Sequence, residues 1–579
     1  MSLTSAIHIG RSALTASQLG IQVAGNNIAN ASTPGYSRQI ARLSPLRGGG
    51  NSPQLSIGAG VQVASIQRQV DSALQARLWS GTADAAGANV YLDIFSQLEA
   101  TLGELNDNDL SSELSSFFSA WSERANQTKS SAAVVQQGDK LAGFIRRVRS
   151  DLSNQTIQVD QQLAASVAQA NNLIGSIAQL NQAIGDAEVS GQPANTLRDQ
   201  RDQLVTQLSE LLPVDVIDRG REGTDVLVGS IPVVLGTQAR GIELRRFTGP
   251  DGSLEVSVNT TADGSRLDVA TGAVGALMNS RKGVIDATVG KLDQLATQLI
   301  WEVNKIHSTG VTAAGFRSLT GSLRFSSAQR SLALNDPANG AIAQLPFAPT
   351  NGGFVVRLKQ ASTGATTTVR IDVDLDGITN GGTPGTTDDT SAEGIRAALD
   401  AIGGLNAGFN ADGSLRINAD EGFSFAFADD TSGVLAALGV NTYFTGADAG
   451  DIAVRQELKG DPSLLASGKY VNDVLVENAA ALALAGLQNQ SLATLGDRSI
   501  SDLWRDTVQQ VGGSVAGAKA AADAAGLVRE SLDNQRAGVS AVSIDEESIS
   551  LLEFQRQYQG AARVISVADQ LTQELLAIV

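Results

Sequence analysis

Few side chains in this 579-residue chain are suited to catalysis or metal binding. It contains no cysteine and two histidines. The absence of thiols removes disulfides, thiol catalysis and cysteine-ligated metals together. His8 and His307 each lie in a helical stretch without a second ligand nearby, and no His-x-x-x-His pair exists, so both read as surface or core histidines rather than zinc ligands. No Gly-x-Ser-x-Gly elbow is present. Gly290-Lys291 fails as a phosphate loop, because Leu292 replaces Ser/Thr and Ile285 stands where the first glycine belongs. Asp372, Asp374, Asp376 and Gly377 match the opening of a calcium loop, but Thr383 occupies the twelfth position, where a bidentate glutamate belongs. Alternating Asp on a strand running into an Asp-Gly turn explains the same letters. Asp545, Glu546 and Glu547 read as a solvated first turn of the last helix, where acids favour the helix dipole. The expectation is therefore no catalytic residue, no cofactor and no metal.

Composition bounds the rest. The length suggests about four domains. Hydrophobic residues make up 42% and charged residues 18%, which places most of the chain among globular proteins. Aromatics are only 4%, so cores of Ala, Leu, Ile and Val are expected. The net charge is −18 and no Lys/Arg-rich run exists, which argues against nucleic acid and anionic lipid as partners. Residues 1–31 have no basic start and no uninterrupted apolar run, and Ala479–Leu487 is far shorter than the ~18 apolar residues of a membrane span. No membrane partner is expected, and export, if it occurs, proceeds without a cleaved signal peptide.

The two ends share a pattern. Leu3, Ile7, Gly10, Leu14, Ser17, Ile21, Ala24 and Ile28 alternate at spacings of four and three. Leu551, Phe554, Tyr558, Ala561, Ile565, Ala568, Thr572, Leu575 and Val579 do the same, and Val564, Leu571 and Ile578 widen the second stripe. This is the heptad signature of helices that bury a seam against a partner. The candidate assembly seams are Leu3, Ile7, Leu14, Ile21 and Ile28 at one end, and Leu551, Phe554, Tyr558, Ile565, Ala568 and Leu575 at the other. Gly10 and Ser17 make the N-terminal seam the weaker one. The last helix, from near Ser543, should run for about 50 Å.

Between the ends, Ser32-Thr33-Pro34-Gly35-Tyr36 breaks the first helix, and Gly48-Gly49-Gly50, Pro53 and Gly58 continue a loop. A helical block spans Asp71 to Leu212. Within it Leu163, Val167, Ala170, Ile174, Ile177 and Ile184 form one stripe, with Asn181 as its polar exception. Gly191-Gln192-Pro193 bends it into an antiparallel helical hairpin with Leu197, Leu204, Leu208 and Leu211. Strands follow from Val214 to Ala270, with turn signals at Asp251-Gly252 and Asp263-Gly264. Helix returns from Gly275 to His307. The stretch from 318 to 450 is rich in Gly, Thr, Asp and Phe. There Phe354–Leu358, Thr367–Leu375, Ser414–Asn418 and Phe423–Phe427 read as strands around a helix at Ser391–Ile402. Helix resumes near Val471 and continues to the end.

The expected fold is mainly α: an elongated helical-bundle or coiled-coil stalk built from both termini, with inserted β-rich (α+β) outer domains. Residues 1–38 with 540–579 form the terminal core, and 39–213 with 271–317 and 451–539 form the stalk. Residues 214–270 are a β-rich insertion and 318–450 a β-rich outer domain.

Ala24-Gly25-Asn26-Asn27-Ile28-Ala29-Asn30, followed by Ala31-Ser32-Thr33-Pro34-Gly35-Tyr36-Ser37-Arg38, resembles the N-terminal signature of flagellar rod, hook and hook-associated proteins. The segment Ser543–Val579, with Ser543, Asp545, Glu546, Gln555, Tyr558, Arg563, Val564, Ile565 and Asp569, resembles the matching C-terminal signature. The Thr-Pro-Gly-Tyr-Ser-Arg variant and the run Arg198-Asp199-Gln200-Arg201-Asp202 are similar to the hook-associated type. The resemblance implies a structural, non-enzymatic subunit at the hook–filament junction. It implies terminal helices that stay disordered until they pack with neighbouring copies in a helical tier. Asn26, Asn27, Asn30, Thr33, Pro34, Gly35 and Tyr36 would form the turn joining the inner helices to the next layer. The implied partners are further copies of the chain, hook protein on one side and the second junction protein (FlgL type) on the other. A cytoplasmic chaperone on the C-terminal helix and the flagellar type III export apparatus would act earlier, and the final location would be extracellular, on the flagellum. Two alternatives stay open: another axial subunit of hook or filament type, and a secreted enzyme or adhesin domain (318–450) carried on an axial scaffold.

Overall fold

Runs of apolar residues at three-four spacing, with few interior prolines, give long helices: Leu3–Ala29, Ser72–Leu102, Leu110–Ala125, Ser131–Ala187, Asn195–Leu211, Ile500–Ser540 and Ile544–Ile578. The computed structural model describes residues 3–46, 58–103, 109–127, 130–220, 223–249 and 254–578. Gly48–Gly50, Pro53, the Asp251-Gly252 turn signal and Val579 lie outside them. The chain separates into two compact units: Met1–Ile94 with Gln158–Lys282 and Ala516–Val579, and Phe95–Ile157 with Gly283–Val515. Among the described residues no helix is long and apolar enough to cross a membrane.

In the first unit, the first and last helices pack along one another, and the antiparallel hairpin of Gln39–Pro45 with Val61–Arg68 lies on the first helix. The stripe Leu163, Val167, Ala170, Ile174, Ile177 and Ile184 is buried. Asn181, the polar break in that stripe, anchors the helix to the neighbouring sheet. Its amide donates to Thr224 O at 2.8 Å and Gly236 O at 2.6 Å. Asn171 does the same for the next hairpin, donating to Ile242 O and accepting from Ile242 N, both at 2.7 Å. Amides bonded to strand backbone in this way fix the sheet against the helix. The sheet has four antiparallel strands from Val214 to Ala239, followed by a hairpin of Ile242–Thr248 with Leu254–Thr260. Asp263-Gly264 turns the chain back, with Leu267 N bonded to Val258 O at 2.8 Å.

The second unit departs from its expected core. Aromatics are rare on average but concentrated here: Phe117, Phe118, Trp121, Tyr443 and Phe444 are fully buried together. Tyr443 meets Trp121 at 5.4 Å and Phe444 at 4.8 Å in edge-to-face geometry, which aromatic quadrupoles favour. Its hydroxyl donates to Val134 O at 2.8 Å. A second core lies around two three-stranded sheets. One orders Thr366–Val373, Gly352–Gln360 and Phe423–Ala428; the other orders Leu405–Phe409, Ser414–Ala419 and Ser318–Arg324. Leu405–Phe409 and Ser318–Arg324 are strands beyond those expected; each alternates, with Leu405 and Ala407, and Leu319 and Gly321, turned inward. The spacing predicts helix from near Val471 onward, but the structure has a hairpin there, Lys469–Val471 with Val474–Val476. The β-branched valines favour strand, and Asn472 and Asp473 take the left-handed backbone (φ 48° and 65°) that a two-residue hairpin turn demands. Continuous helix begins at Ile500.

His8 is exposed, whereas His307 is fully buried. His307 Nδ1 donates to Asn441 O at 2.7 Å, and its Nε2 accepts from Ala466 N at 3.2 Å. A neutral ring satisfies both bonds, and a protonated one would turn Nε2–H against the Ala466 N–H. Burial, opposed by the bond to Asn441, lowers its pKa to about 4. Between about pH 4 and 6.5 the unfolded chain therefore binds a proton that the folded chain does not, and stability rises with pH across that window. Acidification from pH 6.5 to 4 should remove about 3 kcal/mol of stability through this one residue. Urea unfolding against pH checks this: His307→Gln should flatten the dependence relative to the native chain by that amount.

Candidate functional site at the paired termini

The first and last helices run antiparallel. Gly10 lies against Ile565, Gly20 against Phe554, and Asn27 against Glu547. The buried stripe of the first helix is made of small residues: Gly10, Ala16, Ser17, Gly20, Val23, Ala24 and Asn27. A Cβ on Gly10 would fall 2.7 Å from Ile565 Cγ1, and one on Gly20 would fall 2.6 Å from the Phe554 ring. Gly10, which makes the seam look weak, is where the Ile565 side chain fits against the first helix, and Gly20 is where the Phe554 ring does. Ser17 can be buried because its hydroxyl donates to Ala13 O at 2.9 Å. The large residues Leu3, Ile7, Leu14, Ile21 and Ile28 flank this stripe and are half-buried. On the last helix Leu551, Phe554 and Ile565 are half-buried and Ala568 is buried, while Tyr558 and Leu575 are exposed.

At the end of the first helix a polar cluster forms. Asn30 Nδ2 donates to Asn26 O at 3.0 Å and to Asn26 Oδ1 at 2.7 Å. Thr33 Oγ1 donates to Asn30 Oδ1 at 3.3 Å. Tyr36 N bonds back to Thr33 O at 3.2 Å, with Pro34 and Gly35 (φ 79°) at the central positions. That is a type II turn, which needs a positive φ at its third residue. The turn delivers the Tyr36 hydroxyl to Asn27 Oδ1 at 2.8 Å. Burial, with Asp199 and Glu547 nearby, pushes the Tyr36 pKa up to about 12, so the phenol stays protonated and donates.

Asn27 is the hub. It is fully buried, accepts from Gln39 N at 3.0 Å, and donates to Gln39 O at 2.9 Å and Glu547 Oε2 at 3.0 Å. Glu547 corrects the expectation of a solvated first turn. It is 3% exposed, and its other oxygen accepts from Arg38 Nε at 2.6 Å. Glu546 remains at the surface and takes Arg38 NH1 at 2.9 Å. Arg38 N also bonds Ser540 O at 2.8 Å. The network continues to the helix Asn195–Leu211: Asp199 Oδ2 accepts from Ser37 N at 3.3 Å, and Arg68 bridges Asp199 at 2.8 Å and Asp202 at 2.9 Å. Arg198 grips Glu188 with two bonds, at 2.7 and 2.8 Å. The charged run Arg198–Asp202 thus ties the hairpin behind the terminal turn to the helix beneath it. Arg38, Gln39, Arg68 and Glu547 do not appear among the expected site residues. Their signal lay in the Ser-Arg that follows the turn and in the acids at the start of the last helix.

Both halves of this terminal pair, the first helix with its Asn-rich turn and the last helix, match models of flagellar axial proteins. The model described as flagella basal body rod protein matches residues 7–36, and that of the flagellar basal body rod FlgEFG protein C-terminal region matches 536–578. The helical domain of flagellar hook-associated protein FlgK matches 95–322. Flagellar hook-associated protein 1 of Escherichia coli is 25% identical over 600 aligned residues, covering 100% of both chains. That of Salmonella typhimurium is 26% identical over 612, also covering 100% of both. That of Bacillus subtilis is 26% identical over 345, covering 53% of this chain and 68% of its own. A solved structure, the flagellar hook junction protein FlgK from Burkholderia pseudomallei, aligns with 81% of this chain and 100% of its own at TM-score 0.47 and 16% identity. The chain belongs to the FlgK family of flagellar hook-associated proteins, structural components of the external flagellum. Its homologues are structural proteins rather than enzymes.

Proposed function

We propose that this chain forms one helical tier at the hook–filament junction and connects hook to filament through its terminal helices. The observation that carries this is the outward face of the last helix. Ile549, Leu552, Tyr558, Val564, Val567, Leu571, Leu575 and Leu576 are exposed, while Ala561, Ile565 and Ala568 turn inward. A helix apolar on two sides has only one of them covered within a single chain, and water disfavours the other. Neighbouring copies in a tier would cover it. Hook protein would contact one edge of the tier and the second junction protein the other. Before assembly the same stripe would be held by a cytoplasmic chaperone, and the chain would leave through the flagellar type III apparatus.

The test is the double variant Val564→Asp/Leu571→Asp, expressed in a strain lacking the gene. Both positions are at the surface, so thermal unfolding of the purified chain should hardly move. Buried between subunits, each carboxylate would cost several kcal/mol. Electron microscopy should show intact hooks without filaments, with flagellin shed into the medium. Normal filaments would overturn the reading, and missing hooks would assign the chain to the rod or hook instead.

A further inference from the structure

We propose a calcium site in the second unit, in the connection between the strand Thr366–Val373 and the helix Ala392–Asp400, formed by Asp374, Asp376 and Asp389. As a calcium loop, the sequence fails at its twelfth position. The fold supplies an acid from further along the chain. Thr390 N bonds Asp374 O at 2.7 Å, and Thr390 Oγ1 accepts from Asp374 N at 2.9 Å. Those two bonds set Asp389 beside the Asp-x-Asp segment, and carboxylate oxygens of Asp374, Asp376 and Asp389 lie within 4.8 Å of one another. Calcium holds its oxygens at about 2.3–2.6 Å, so ligands on opposite sides of the ion stand about 5 Å apart. The three oxygens fit on one such sphere.

Clustering of acids alone would mean little. The second observation is the state of Asp389. It is 7% exposed, and its Oδ2 accepts from Asn335 Nδ2 at 2.6 Å and Gly377 N at 3.2 Å. Its Oδ1 is shielded from solvent and receives no hydrogen bond among the described residues. Asp388 Oδ1 and Asn335 Oδ1 are shielded and without a donor as well. Residues 371–395 contain no Lys or Arg, and among the described residues no ion pair reaches Asp374, Asp376, Asp388 or Asp389. Asp372, which completes the motif in the sequence, is instead paired with Arg370 at 2.7 Å. A buried carboxylate needs a compensating charge or donor. A hard divalent cation provides the charge and takes oxygen ligands only, with water able to fill the rest of its shell. Calcium is favoured over magnesium because three ligands on a glycine-rich turn suit its loose coordination, whereas magnesium demands a tighter octahedron. This inference stands apart from the proposed assembly role, and neither depends on the other.

The full-length chain, freed of metal by a chelator, should be titrated with calcium in 150 mM salt. One site is expected, with Kd of roughly 10⁻⁴–10⁻³ M, the range of extracellular modules. Saturating calcium should raise the unfolding temperature by about 3 °C. Asp376→Asn and Asp389→Asn should each weaken binding at least tenfold, and the Asp372→Asn control, with the same charge change outside the cluster, should not. Asp389→Asn should also lose the calcium response without losing stability in chelator. Should Asp389→Asn misfold, the exposed Asp376 variant decides. The proposal is overturned if no single site saturates, if Asp376→Asn binds like the native chain, or if magnesium matches calcium, since that is diffuse attraction to a chain of net charge −18.

Discussion

Gly10→Val combined with Gly20→Val should abolish filament attachment and leave the rest of the chain folded. A Cβ at either position falls under 3 Å from the last helix, against Ile565 in one case and Phe554 in the other. Neither neighbour has a short way out. The contact at Gly20 reaches Phe554 Cγ at 2.7 Å, the root of the ring rather than its tip. Overpacking of this kind costs about 1–3 kcal/mol per site. The gain in helix propensity on replacing glycine by β-branched valine, roughly 0.3 kcal/mol each, offsets only a small part of it. The two helices should therefore separate. Limited proteolysis should cut both terminal segments early while the second unit keeps its protection, and cells carrying the variant should not swim. Gly20→Ala should show a smaller version of the same defect. Unchanged proteolysis would mean that the close approach contributes nothing.

Glu547→Ala should rank next. The substitution leaves Asn27 and Arg38 facing a gap in a buried network. Removing one member of a buried charge pair costs about 3–5 kcal/mol. Arg38 is 20% exposed and keeps Glu546, so about 2–3 kcal/mol is the reasonable expectation here. Glu547→Gln, which still accepts from the Asn27 amide, should lose less. Combined with Arg38→Ala, the loss should be smaller than the sum of the two single changes, because the second change removes the charge that the first left unpaired. Thermal unfolding of the four chains measures this directly. Additive losses would mean that the two residues are not coupled.

These two cases also mark what could be read from the residues alone. That the last helix is apolar along its length is legible in its three-four spacing, but which residues turn inward is not: Tyr558 and Leu575 share the expected seam with Ile565 and Ala568, yet both are exposed. The role of Gly10 and Gly20 is not legible either, because a glycine in a helix looks like a defect until the partner is in place. Glu547 was obscured by its neighbours: three acids at a helix start have a sufficient local explanation in the dipole, and nothing local separates the buried one from the exposed two. Asn181 stood out as an exception in its stripe, yet its partners, Thr224 O and Gly236 O, are backbone groups with no sequence signal. Asp389 falls in the same class, since the two bonds of Thr390, from its N–H and to its hydroxyl, carry it to Asp374. The hairpin at Val471–Val476 is hidden in the sequence because a short valine run abuts the Ala/Leu segment after it. Except at that hairpin, whose pairs are local, the missing information was a contact distant along the chain.

The network around Asn27 has a consequence for alignment. An apolar seam with a heptad rhythm is nearly periodic. Sliding one helix past the other by seven residues, about 10 Å, would bring like against like again. Hydrophobic burial alone would distinguish such offsets poorly, and a tier built on it could accumulate copies of unequal length. Asn27, Glu547 and Arg38 are not periodic. They meet in one setting only, and any slide leaves a buried carboxylate and a buried amide without partners. The cluster works as a detent on a ruler. It selects a single offset for the terminal pair, so every copy in a tube would present its ends at the same height.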